Sequence, residues 1–303
     1  MIDGVTFDDI RKAAERIHPW CVETPVHEIN AIPVGSRPLL VKREDLQRSG
    51  SFKLRGAANF LLSVQCDLAV AGSSGNHGIA LAEMCHSLGK KALIVMIKGA
   101  SEHKRQRITS LGMAVMECQE DMAVREKVAA ELSASRGGTI IDSSDDECVI
   151  AGQGTIGLEI ARQVPEVGTI LVPLGGGGLL AGLLLAIRHV LPGPRVLGVE
   201  PAVGNDFKLS IEAGHPVTIS QCRSLCDGAL HRAPGQLTFP IVQQLVDDIL
   251  LVGENDIAAT VALLHREGLT LEPTAALGIA AARLNAGRLR PPVLAIATGG
   301  NVP

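Results

Sequence analysis

The chain has 303 residues, 46% of them hydrophobic, which is enough apolar material for one large or two ordinary domains with a substantial core. A net charge of −4, with lysines and arginines scattered rather than gathered into a stripe, lacks the electrostatic footprint of a nucleic-acid binder. Seven cysteines without a Cys-x-x-Cys pair fit neither a disulfide framework nor a zinc site and suit a reducing cytoplasm, while the absence of tyrosine excludes a tyrosine acid or base.

The opening residues are acidic where a secretory signal is basic and then strongly apolar, so export is not expected. Thr6, with Asp9 three residues on and apolar Ile10, Ala13, Ala14 and Ile17 at helical spacing, predicts a capped helix that stops before Pro19. Beyond it, short aliphatic runs read as buried strands: 39–42, 68–71, 92–97, 114–117, 169–172, 196–199 and 293–297. Amphipathic stretches at 75–88, 101–111, 121–136, 152–163, 179–190, 254–267 and 273–285 read as helices between them. The longest apolar run, Leu179 to Val190, is interrupted by Arg188 and His189 and falls short of the ~20 residues of a membrane span. Strands and helices in alternation imply parallel sheets covered by helices, an α/β protein.

In open parallel sheets, ligands bind where strands end, so the glycine-rich and small-residue turns are expected to converge on one site. Ser51-Phe-Lys53-Leu-Arg-Gly-Ala57 places a lysine among apolar residues at the start of a helix. Desolvation lowers an amine's pKa and makes it a nucleophile toward carbonyl groups, although a single lysine can equally be a snorkelling surface charge. Ser73-Ser-Gly-Asn-His-Gly78, between a strand and a helix, is dense in donors and reads either as a ligand loop or as an ordinary turn and N-cap. Gly175-Gly-Gly-Gly178 follows a strand and opens a helix, where residues without Cβ and free N–H groups favour a phosphate. The same loop satisfies a dinucleotide fingerprint, Gly176-x-Gly178-x-x-Ala181 with Glu200 about 20 residues on, so a nicotinamide or flavin oxidoreductase stays open on this motif alone.

These three segments, with Ala151-Gly-Gln-Gly-Thr155, Glu272-Pro-Thr274 and Gly299-Gly-Asn301, stand in the order seen in the threonine dehydratase and serine racemase family of pyridoxal 5′-phosphate enzymes. The resemblance runs from Thr24 to Asn301. It implies the fold-type II, tryptophan synthase β-like architecture: two domains with open, mostly parallel twisted sheets covered by helices. On that basis a small mobile domain of residues 66–144 is expected to be inserted into a large cofactor-binding domain of residues 1–65 and 145–303. The resemblance further implies Lys53 as the lysine that carries the cofactor and as general base, Gly175, Gly176, Gly177 and Gly178 as the phosphate cradle, Phe52 packed on the cofactor, Asn76 on its 3′-oxygen and Thr298 facing the pyridine nitrogen. Ser73, Ser74, Asn76 and His77 would hold the substrate carboxylate. Ser74 matches the second acid/base of the racemases, so racemisation stays open beside elimination. No carboxylate stands out as an acid for the leaving hydroxyl.

Glu200, Gly204 and Asp206 match the spacing at which relatives of the serine racemase and 3-hydroxyaspartate dehydratase type bind a divalent cation; an oxygen-only set suits Mg²⁺ or Ca²⁺, and two solvated carboxylates are the alternative. Cys222 and Cys226 lack the partners a zinc site needs. The expected activity is dehydration of L-threonine, L-serine or a related 3-hydroxy amino acid to a 2-oxo acid and ammonia, in a cytoplasmic homodimer or other homo-oligomer without nucleic-acid or membrane partners. A non-catalytic cofactor-binding protein is the reading from another class. Two departures from the family bear on substrate and control. Asp142-Ser-Ser-Asp145 replaces a His-Pro-Phe-Asp-like stretch near the active site, which leaves a specialised role such as hydroxyectoine breakdown open. The sequence ends two residues after Asn301, so feedback control by isoleucine is not expected.

Overall fold

The computed structural model describes residues 4–73, 75–119, 121–220 and 223–302. Its helices are α1 (Phe7–Ile17), α2 (Lys53–Ser63), α3 (Asn76–Leu88), α4 (Glu102–Ser110), α5 (Met122–Arg136), α6 (Glu147–Gln163), α7 (Gly178–Val190), α8 (Asp206–Ala213), α9 (Thr238–Leu245), α10 (Glu254–Arg266) and α11 (Pro273–Asn285). The strands are β1 (Val26–Val34), β2 (Arg37–Arg43), β3 (Leu68–Gly72), β4 (Lys91–Ile97), β5 (Ala114–Cys118), β6 (Thr139–Ile140), β7 (Thr169–Pro173), β8 (Arg195–Pro201), β9 (Asp248–Val252) and β10 (Val293–Ala297). They form a six-stranded sheet in the order β1-β2-β10-β7-β8-β9 and a four-stranded sheet in the order β5-β4-β3-β6. Every pairing is parallel except β1 with β2. The α/β reading with mostly parallel sheets therefore holds.

The central strands of the larger sheet are buried on both faces, as parallel sheets require. Ile170, Val172, Val196, Leu294 and Ile296 face a core shared with α1, α6, α7 and α9. Their alternates Leu171, Leu197, Val199, Val293 and Ala295 face one shared with α11 and α10. In the smaller sheet, Ala69 and Ala71 pack toward α2 and α3 and Val70 toward α5. Thr6 and Asp9 close the expected capping box at the start of α1.

The structure departs from the sequence reading at edges. β1 was not expected because its run Val-His-Glu-Ile-Asn-Ala-Ile-Pro-Val is polar and carries Pro33, which an edge strand beside a bulge tolerates. β9, α8 and α9 were also missed. β5 is not a buried strand: it lies half-exposed at the edge of its sheet. α6 begins at Glu147, five residues before Gly152, because Asp146 accepts from the amide of Val149 and caps it. Ala151–Thr155 thus lies well inside the helix instead of at its expected start. Its glycines permit close packing: a Cβ on Gly154 would lie 2.7 Å from the carbonyl oxygen of Gly182 in α7. Among the described residues, no helix is long and apolar enough to cross a membrane.

Candidate active site

Four chain segments that leave strands converge on one cleft: 298–301 after β10, 175–178 after β7, 73 with 75–78 after β3 and 141–146 after β6. A cavity is lined by Phe52, Lys53, Ser144, Gly175 to Gly178, Gly228, His231, Thr274 and Thr298, so the lysine, the glycine loop and Thr298 of the sequence analysis are brought together. Lys53 is the first residue of α2. It is placed by a bridge between Ser51 and Gly299 and by the amide of Phe52 donating to the carbonyl of Thr298 at 3.1 Å. Two residues on, Arg55 is fully buried and ion-paired with Glu44 and Glu159, and Glu159 also takes Lys42, so this end of the helix is fixed by buried charges that must stay paired with one another. The Lys53 amine donates to the carbonyl of Ser143 at 2.6 Å and lies 5.0 Å from the centroid of the Phe52 ring. Burial pushes it down to about 8, against the opposing charge of Asp142.

Asp142 to Asp145, the stretch that departs from the family, forms a wall of the cleft. Asp142 accepts from the amides of Ser144 and Asp145, which hold it below the ordinary carboxylate value despite burial. Asp145 accepts from the amides of residues 236, 237 and 238 and so ties this wall to the start of α9.

The glycine loop is a cradle that side chains would fill. Gly177 has φ +90°, and a Cβ there would lie 2.8 Å from Thr238. A Cβ on Gly176 would overlap the Ser144 hydroxyl and lie 2.8 Å from Nε2 of His231. Among the described residues, the hydroxyl of Thr298, Nδ1 of His231 and Nδ1 of His77 are buried at the cleft without a hydrogen-bond partner. A buried polar atom without a partner is costly, so the two that line the cavity, those of Thr298 and His231, call for a ligand with polar groups. An enclosed, readily deprotonated amine, a backbone anion cradle at the N-terminus of α7 and a free hydroxyl fit an aldehyde cofactor carrying a phosphate and a ring nitrogen.

On the other side of the cleft, Asn76 opens α3. Its Nδ2 donates to Oε1 of Glu272 at 2.5 Å and its Oδ1 accepts from Asn301 at 2.8 Å. Ser73 uses its hydroxyl as acceptor for the amides of Gly75 and Gly78, which closes the loop. His77 turns its ring toward the carbonyl of Ile141, and burial, helped by Lys53, pushes it down to about 3, so the imidazole is neutral. The loop therefore offers chiefly the first-turn N–H groups of α3. Ser74, the expected second acid/base, lies outside the described residues, as does Cys222.

Sequence reasoning missed two titratable groups here. Glu272 was read only as part of a motif; burial pushes its carboxyl up to about 7, and Oε2 has no hydrogen-bond partner among the described residues. His231 lies in a stretch with no motif, and nothing in its local pattern marks it.

Glu200, near the end of β8, and Asp206, the first residue of α8, are both fully buried. Glu200 accepts from the amides of Phe207 and Lys208, which assigns its carboxylate to α8 and leaves the dinucleotide reading without its ribose acid. Both oxygens of Asp206 lack partners among the described residues. Burial, with Asp206 adding repulsion, pushes Glu200 up to about 8, and burial pushes Asp206 up to about 7. Gly204 is buried in the turn between them, its amide donating to Pro201. Among the described residues no three His, Cys, Asp or Glu side chains cluster, so two carboxylates are all that this spot supplies from side chains.

A family model described as pyridoxal-phosphate dependent enzyme matches residues 17–299. The chain is 34% identical to a serine racemase of Arabidopsis thaliana, over 97% of this chain and 92% of that one. It is 36% identical to an L-threo-3-hydroxyaspartate ammonia-lyase of Saccharomyces cerevisiae, over 98% and 93%. The solved structure of a T.th. threonine deaminase superposes with a TM-score of 0.93 at 37% identity, covering 98% of this chain and 99% of that one. With the lysine, the glycine cradle and the free hydroxyl gathered in one cleft, these matches make the chain a member of the pyridoxal-phosphate dependent enzymes.

Proposed function

We propose that this chain is an ammonia-lyase that converts L-threonine, L-serine or a related 3-hydroxy amino acid to a 2-oxo acid and ammonia by β-elimination. The observation that carries this reading is the Lys53 amine, lowered to about 8 and enclosed in the same cavity as the glycine loop and Thr298. When bound, pyridoxal phosphate supplies the electron sink that makes the substrate Cα–H acidic. Lys53 Nζ would take that proton as general base, since an amine with a pKa near 8 has a far larger deprotonated fraction near neutral pH than an ordinary lysine. The N–H groups at the start of α3 hold the substrate carboxylate, and Asn76 is fixed for its contact by Glu272 and Asn301. Thr298 would offer a neutral hydroxyl to the pyridine nitrogen, a partner that favours expelling a leaving group over storing charge in the ring. Gly175 to Gly178 hold the phosphate.

On the same reading residues 66–144, which contain the four-stranded sheet, are a small domain that closes on residues 1–65 and 145–303 to exclude water. Glu200, the Gly204 carbonyl and Asp206 hold Mg²⁺ or Ca²⁺; the two partnerless oxygens of Asp206, buried beside a second carboxylate, support this. The protein works in the cytoplasm as a homodimer or other homo-oligomer.

The test is the visible absorption of the purified protein with the cofactor, followed by L-threonine, L-serine and 3-hydroxyaspartate with detection of 2-oxo acid and of the product enantiomers. Lys53→Ala is expected to abolish both the cofactor band and oxo acid formation; oxo acid formed by that variant would overturn the mechanism. Serine racemases stand among the relatives, so formation of D-serine without oxo acid would replace elimination by racemisation as the main activity.

A further inference from the structure

His231 enters the cleft from the segment between Ala229 and the start of α9, and neither the motifs nor the proposed mechanism uses it. Its ring is packed on the glycine loop, with Nε2 at 2.8 Å from the place of a Cβ on Gly176 and Nδ1 at 3.1 Å from that on Gly175. The absent side chains of those two glycines leave the room that the imidazole and the Ser144 hydroxyl occupy. Nδ1 is buried, and nothing among the described residues bonds to it. A buried nitrogen in that condition carries a desolvation cost that a ligand's oxygen would remove.

The charged groups around the ring decide which ligand. Burial, joined by the charges of Lys53 in α2 and Arg125 in α5, pushes the imidazole down to about 4 against the opposing charge of Asp142 in the cleft wall. It is therefore a neutral ring with one N–H to give, set in a positive field against a row of loop amides. That combination selects an oxyanion and rejects an amine. The segment read as meeting the substrate carboxylate, Ser73 with Gly75 to Gly78, is a separate one after a strand of the other sheet.

We infer that His231 is a further ligand of the cofactor phosphate, donating a ring N–H into the cradle beside Ser144. The inference rests on the reading of Gly175 to Gly178 as the phosphate site. It also explains why the loop needs Gly175 and Gly176 in this chain: a methyl group at either would press on the imidazole.

The test uses the full chain loaded with pyridoxal phosphate. His231→Val is expected to raise the cofactor's Kd roughly tenfold or more, the worth of a hydrogen bond to a charged group, and to move the ³¹P resonance of the bound cofactor. His231→Gln, which keeps an N–H donor, is expected to stay within about threefold of the wild type on the same scale. A Kd and a ³¹P shift in His231→Val equal to those of the wild type overturn the inference. Should that variant fail to fold, the wild type decides by itself. With ¹⁵N-labelled histidine, the His231 resonances must differ between protein loaded with pyridoxal phosphate and protein loaded with pyridoxal, which has the same aldehyde and no phosphate; identical resonances overturn the inference. A wild-type chain that takes up no cofactor overturns the glycine-loop reading and this one together, whereas uptake unaffected by His231→Val overturns this one alone.

Discussion

Lys53 shows how a single side chain is prepared by its surroundings. The helix start, the bridge from Ser51 to Gly299 and the ion pairs of Arg55 fix its backbone, and enclosure then works against its charge. An amine held at about 8 instead of 10.5 binds fewer protons when folded than when unfolded. Between those two values stability therefore rises with pH, and below about 8 the buried charge is a standing cost. Covalent labelling of Lys53 in the cofactor-free protein, followed by mass spectrometry, is expected to reach half its maximal rate near pH 8. Asp142→Asn, which removes the opposing charge, is expected to move that midpoint lower; a wild-type midpoint near 10.5 would show the amine to be solvated. The identity of this lysine was legible from its apolar neighbours and from motif order. His231 and Glu272 were not, because their roles depend on which groups lie against them across the fold, and sequence neighbours carry no trace of that.

Among elements, the pair α6 and α7 has the tightest demand. Gly154 and Gly182 face each other so closely that the backbones nearly touch, and Ile10 of α1 lies 2.8 Å from where a Cβ on Gly154 would be. Gly154→Val must push α6 away from α7, whose N-terminus is the glycine cradle. A loss of about 1–3 kcal/mol in stability is expected from overpacking, with weaker cofactor retention, read by thermal unfolding and by equilibrium dialysis. Unchanged unfolding would mean that the helices part without cost. The buried strands and the long helices were legible because burial on two faces leaves a continuous apolar run and burial on one face a helical period. β1 and β9 lie at sheet edges and lack such a run, and α8 and α9 are too short, at 8 residues each, to establish a period.

At the scale of the whole molecule, the buried carboxylates Glu200, near the end of β8 in the larger sheet, and Asp206, the first residue of α8, flank one turn. If a divalent cation neutralises them, chelation by EDTA is expected to lower the Tm and added Mg²⁺ or Ca²⁺ to restore it, by an amount equivalent to about 2.7 kcal/mol at roughly 100 times Kd. A Tm indifferent to chelator and to both ions would leave the pair as buried acids that keep their protons. The cleft also joins distant parts of the chain. Phe52 is held by Thr298, and Gly50 accepts from the amide of Gly300, so the start of α2 is positioned by residues made some 250 positions later. During synthesis, Lys53 leaves the ribosome long before the groups that set it in place exist. A nascent chain therefore has no formed pocket for a reactive aldehyde until β10 and the residues just after it have been made.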